Sequence, residues 1–168
     1  MARPANRDLV IVGVALAVAV LAAAAILGIG ARRGASDSPL ARGEAIFQAG
    51  RDANGVPIRR TQSQGAGGMM GGGMMMGGGC ASCHGSDGRG RSTPQFSAPN
   101  ITYSNLTDPR GMLMPDGTRG PFYTDAEIHK AVTQGTDPEG SRLEWPMPQW
   151  QLSAGQWGDL LTYLKTLK

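Results

Sequence analysis

Cys80-Ala81-Ser82-Cys83-His84 is the stretch whose residue types and spacing can do chemistry. In a helical turn, residues three apart share a face, so both thiols can meet one edge of a flat macrocycle while His84 reaches a metal at its centre. Two thioether bonds and one axial imidazole nitrogen are what a covalently attached haem requires. Two other uses of a CxxC pair fit less well. A structural zinc site takes four ligands, and beyond Cys80, Cys83 and His84 the only other cysteine or histidine is the remote His129. A redox dithiol of the thioredoxin type belongs in a βαβ setting, and no such pattern surrounds the motif. Both cysteines lie inside it, so no structural disulfide is available.

What must position these residues is a chain of 168 residues, room for one modest domain with appendages. Its 26 glycines are about twice the usual share, so much of it is neither helix nor strand. Three Trp, three Tyr and three Phe leave little aromatic mass for a core, a shortage that a bound macrocycle would repair. The net charge of +3 is uneven: residues 1 to 79 carry eight basic and four acidic side chains, residues 80 to 168 eight and nine. No basic stripe interleaved with aromatics is present, which argues against nucleic-acid binding.

Leu9 to Gly30 is a run of 22 residues without a charge. As a helix it would be about 33 Å long, against a hydrocarbon core of about 30 Å. The run is longer than the hydrophobic region of a secretory leader, about 7 to 15 residues. A single retained transmembrane anchor over 9–30 is therefore favoured over a cleaved leader, with 1–8 before it and a polar linker over 31–38. The charged flanks do not fix its orientation: Arg3 and Arg7 lie on one side, Arg32 and Arg33 on the other.

Ser38-Pro39 reads as a helix N-cap followed by proline in the first turn. Leu40, Gly43, Ile46 and Phe47 fall on one face of the helix that follows, and Gly50 closes it. The stretch from 51 to 79 breaks the pattern, and its last fifteen residues hold nine Gly and five Met. It reads as a flexible insertion. Thioethers are soft ligands that select Cu(I), so metal handling by Met69, Met70, Met74, Met75 and Met76 is a minor alternative.

Beyond His84 come a turn-rich exit and the loop Ala98-Pro99-Asn100-Ile101-Thr102, then an irregular stretch over 103–123. Thr124 and Glu127 form a capping box for a helix running to about Gln134. His129 lies off its apolar face and reads as a solvated surface histidine. In Trp145-Pro146-Met147-Pro148, two prolines hold Met147 in an extended segment that suits presentation of a side chain. On residue types alone, Met147 is equally a metal ligand or a core methionine. The last helix starts at Ser153 with an apolar stripe of Trp157, Leu160, Leu161, Leu164 and Leu167, which Gly43 and Phe47 could pack against.

The order of these parts resembles that of class I c-type cytochromes. The matching residues are Gly43 and Phe47, Cys80 to His84, Ala98 to Thr102, the capped helix at 124–134, Met147-Pro148 and the closing Leu160-Leu161-Thr162-Tyr163-Leu164. The resemblance implies an all-α cytochrome c fold over 39–168 around one covalently bound haem c, with the two terminal helices crossing. It also implies that Cys80 and Cys83 bind the vinyl groups, that His84 and Met147 ligate the iron, and that the Pro99 carbonyl orients His84. Met112 and Met114 are more distant substitutes for Met147. Between Phe47 and Cys80 the sequence departs from the family, in which the first helix runs almost directly into the haem motif.

That resemblance places the haem domain on the outer, periplasmic side of a bacterial cytoplasmic membrane. It implies one-electron transfer with redox protein donors and acceptors, by a tethered carrier or a subunit of a respiratory complex such as an alternative complex III or a terminal oxidase. An electron-transfer protein is favoured over a catalyst acting alone. The alternative from another class is a gas sensor or peroxidatic enzyme with a labile distal ligand.

Overall fold

The structure, a computed structural model, describes residues 37–61, 78–94, 96–144 and 146–168. The expected anchor at 9–30 lies outside the described residues, as do residues 62–77 of the Gly/Met-rich tract. Among the described residues no helix is long and apolar enough to cross a membrane. Residues 38–168 form one compact unit.

Helix α1 spans Pro39–Ala49. Ser38 caps it, its Oγ accepting from the Ala41 amide at 3.1 Å, and Gly50 ends it in the left-handed conformation at φ 64°. Leu40, expected on the packed face, is instead 44% exposed; it sits in the first turn, beyond the crossing. The chain closes with α5, Ala154–Leu164, whose capping box joins Ser153 and Gln156. The two helices cross at Gly43. A Cβ there would overlap the Asp159 carbonyl oxygen and lie 2.8 Å from Tyr163 Cβ, so only glycine lets the backbones meet. Around this notch, Phe47 and Tyr163 pack with ring centroids 5.3 Å apart. The Arg42 guanidinium donates to both oxygens of Asp159 at 2.7 and 2.8 Å. Phe47 and Leu160 are almost fully buried, and Ile46, Ile128, Val132, Trp150 and Leu164 extend the same core.

Between these helices lie α2 at Ala81–His84, α3 at Tyr103–Leu106 and α4 at Asp125–Gln134. The Thr124–Glu127 capping box is formed, and Gly135 closes α4 at φ 67°. Helix α3 falls in the stretch expected to be irregular; its one turn is fixed by bonds from the Asn105 and Leu106 amides to Thr102 O.

Two short antiparallel ladders are formed among the described residues. Strand β1, Arg60–Thr61, pairs with β4, Gln149–Trp150, in the register Arg60↔Trp150 and Thr61↔Gln149. Strand β2, Arg91–Ser92, pairs with β3, Ser97–Ala98. The first ladder sharpens the reading of 51–79 as a flexible insertion, because residues 51–61 are a folded arm. Asp52 closes its turn by accepting from the Asn54 and Val56 amides, the Ile58 amide donates to Gly50 O at 2.9 Å, and Ile58 is buried.

Candidate haem site

Helix α2 places the motif residues. Cys80, at its N-cap, already has helical angles (φ −55°, ψ −36°), so Cys80 and Cys83 stand one turn apart. Both thiols are free and half-buried. Withdrawal from water pushes the Cys80 thiol up to about 12, an effect that the nearby Arg60 charge partly opposes. That shift favours the protonated thiol in the chain by itself. Among the described residues, no group of three or more His, Cys, Asp or Glu side chains could hold a metal ion.

The motif sits against the end of α1 despite the insertion. The Gly79 amide donates to Gln48 O at 3.4 Å, and a Cβ on Gly79 would lie 2.6 Å from Ile46 O and 2.7 Å from the Gly50 nitrogen. The absence of a side chain there lets the chain approach the end of α1 this closely. On the exit side, the Gly90 amide donates to His84 O at 2.8 Å. The Gln48 side-chain amide donates to Ser86 O at 2.8 Å and to the Tyr163 hydroxyl at 3.0 Å, tying the motif to the helix crossing.

His84 is buried, and its Nδ1 lies 2.9 Å from Pro99 O. A carbonyl cannot donate, so the hydrogen is on Nδ1 and the lone pair is on Nε2. Burial holds the imidazole below its ordinary 6.5, while the bond to Pro99 pulls the other way. The favoured form is the neutral, metal-binding ring. The Pro99 loop is itself held rigidly: the Ile101 amide donates to Gly88 O at 2.7 Å and the Thr102 amide to Asn100 Oδ1 at 2.9 Å. The Asn105 side chain binds Asn100 O and both backbone groups of Leu113. Sequence reasoning missed Asn105. Its type is common on surfaces, and the partner at Leu113 follows only from the fold.

Met147 stands on a separate segment, between α4 and α5. A turn precedes it, the Met147 amide donating to Glu144 O at 3.1 Å, where an extended segment was expected. Proline at 146 has no amide hydrogen, and this does not prevent a turn closed by the next residue. Met147 is half-buried, whereas Met112 lies in the hydrophobic core and Met114 packs against it. His129 is half-buried, and its ring packs on Trp157 at 4.7 Å between centroids. The structure thus brings Cys80, Cys83, His84 and Pro99 together directly. The Met147 segment is linked to them through the β1–β4 ladder.

Residues 40–168 match the family model described as Cytochrome c. No curated protein and no solved structure matches the chain significantly. The match implies a covalently bound haem c, and the residues present fit it. Two free cysteines lie one turn apart, and beside them is a buried imidazole whose Nδ1 is already bonded to Pro99 O.

Proposed function

The chain belongs to the cytochrome c family, and we propose that this protein is a membrane-tethered one-electron carrier whose iron is closed on both faces, by His84 and by Met147. Haem-based electron transfer with redox protein partners follows from the family; the tether and the ligand pair are the finer reading. One observation supports the His84 half of that pair: the buried ring, its Nδ1 held by Pro99 O at 2.9 Å, which leaves the Nε2 lone pair for a metal.

In this reading Cys80 and Cys83 would hold haem c covalently, through two thioethers. His84 would ligate the iron through Nε2, its tautomer set by the Pro99 carbonyl. Bound haem c supplies a one-electron couple. Met147 as the second protein ligand would favour the ferrous state and raise the potential. With no coordination position left for substrate, the protein exchanges electrons without making or breaking bonds to its partners. The anchor at 9–30 holds the domain at the outer face of a bacterial cytoplasmic membrane. Confinement there raises its effective concentration near membrane-bound donors and oxidases, whether it acts alone or within a respiratory complex.

Exposure of the ferrous protein to carbon monoxide tests the closed iron. The native protein is expected to resist adduct formation, and Met147→Leu to bind the gas readily at a lowered reduction potential. A native protein that forms the adduct as readily as the variant would overturn the reading and favour a gas-binding or peroxidatic one.

A further inference from the structure

We propose that Arg60 is a positioning residue for the distal methionine, tying the segment that carries Met147 to the segment that carries the haem cysteines. The inference rests on Met147 as the distal ligand. Arg60 lies in the arm inserted between α1 and the haem motif, where the sequence departs from its family. Its guanidinium carbon sits 5.1 Å from the ring centroid of Trp150, three residues after Met147. Its Nη1 donates to Gly78 O at 2.7 Å, two residues before Cys80. One side chain therefore touches both segments.

The backbone reinforces the same junction. Arg60 and Thr61 pair with Trp150 and Gln149, and the Gln151 amide donates to Arg59 O at 2.9 Å. Thr61 Oγ1 adds a longer bond to the Gln149 side chain at 3.4 Å. Trp150 is 4% exposed and wedged against the end of α1, where a Cβ on Gly50 would lie 2.8 Å from its ring. From Gly135 to Ser153, the only regular element described is β4, so β1 supplies its ladder partner. A loop with so few regular bonds opens locally at low cost. A thioether ligand can leave iron whenever its loop opens. Arg60 contributes a charge-assisted hydrogen bond and a partly desolvated cation–π contact against that opening.

Imidazole titration of the ferric holoprotein tests this, because imidazole can bind only after the thioether has left. Loss of both Arg60 contacts is expected to raise imidazole affinity about tenfold in Arg60→Ala, and amide exchange at Gln151 is expected to quicken by about the same factor. Arg60→Lys keeps a cation near Trp150 without the fork and is expected to give about threefold; it carries the test if Arg60→Ala does not fold. In a Met147→Leu background, Arg60→Ala is expected to leave imidazole affinity unchanged within about twofold, since the group being positioned is gone. Native affinity in both Arg60 variants would overturn the inference. So would an equal rise from Arg60→Ala with and without Met147. If Met147→Leu itself binds imidazole no tighter than the native protein, the ligand assignment fails first.

Discussion

Gly43→Ala probes the crossing of the terminal helices most sharply. An alanine in the middle of a helix ordinarily gains about 1 kcal/mol over glycine. Here the new Cβ would overlap Asp159 O and stand 2.7 Å from the Asp159 carbonyl carbon and 2.8 Å from Tyr163 Cβ. Two of those atoms belong to the backbone of α5, so no side-chain rotation relieves the overlap, and the helices must separate. Separation disturbs the Phe47–Tyr163 contact and the forked Arg42–Asp159 pair. Overpacking of this kind costs up to about 3 kcal/mol. The net loss, after the propensity gain, is about 2 kcal/mol, or about 8 °C in Tm for a domain of this size. Gly158→Ala supplies the control: it lies on α5 with nothing within 4 Å of the added Cβ, and it is expected to stabilise by up to about 1 kcal/mol. Thermal unfolding followed by circular dichroism reads both. If Gly43→Ala melts at or above the native temperature, the close crossing argued here is wrong.

Other outcomes follow from the same structure. Asp125 accepts from Lys165 Nζ at 2.8 Å and from the Tyr103 hydroxyl at 2.9 Å, and these bonds hold its carboxyl below the ordinary 3.8. Its stabilisation is therefore fully present above 3.8 and lost as pH falls through the lower folded-state value. A series of Tm values across acid pH should show a shallower decline in Asp125→Asn than in the native protein, and parallel curves would count against this linkage. Cell fractionation tests the tether: the full chain is expected in membranes and released by detergent, whereas residues 38–168 behind a cleavable leader are expected in the soluble fraction. A full chain found soluble without detergent would remove the anchor from the account.

Legibility in the sequence followed the range of the signal. The caps at Ser38, Thr124 and Ser153, the closing glycines at 50 and 135, and the CxxCH turn are local chemistry, and each lies where its residues put it. The Gly43 notch was also readable, because a glycine within an amphipathic helix needs a packing reason. What the sequence concealed was contact at long range. Arg60 and Trp150 are 90 positions apart and neither lies in a periodic run, so nothing local announces a two-residue ladder. For the same reason the arm at 51–61 reads as polar coil, although its bonds to Gly50 and β4 give it a fold. His129 lies off the apolar face of its own helix, and the position of Trp157 on another helix explains why it is half-covered.

The central claim is that the iron lies between His84 and Met147, and the most direct measurement is the thioether-to-iron charge-transfer band of the ferric protein. The account requires that band in the native protein and in Met112→Leu and Met114→Leu, and its loss in Met147→Leu alone. A band that survives Met147→Leu, or disappears with Met112→Leu or Met114→Leu, would place the distal ligand elsewhere.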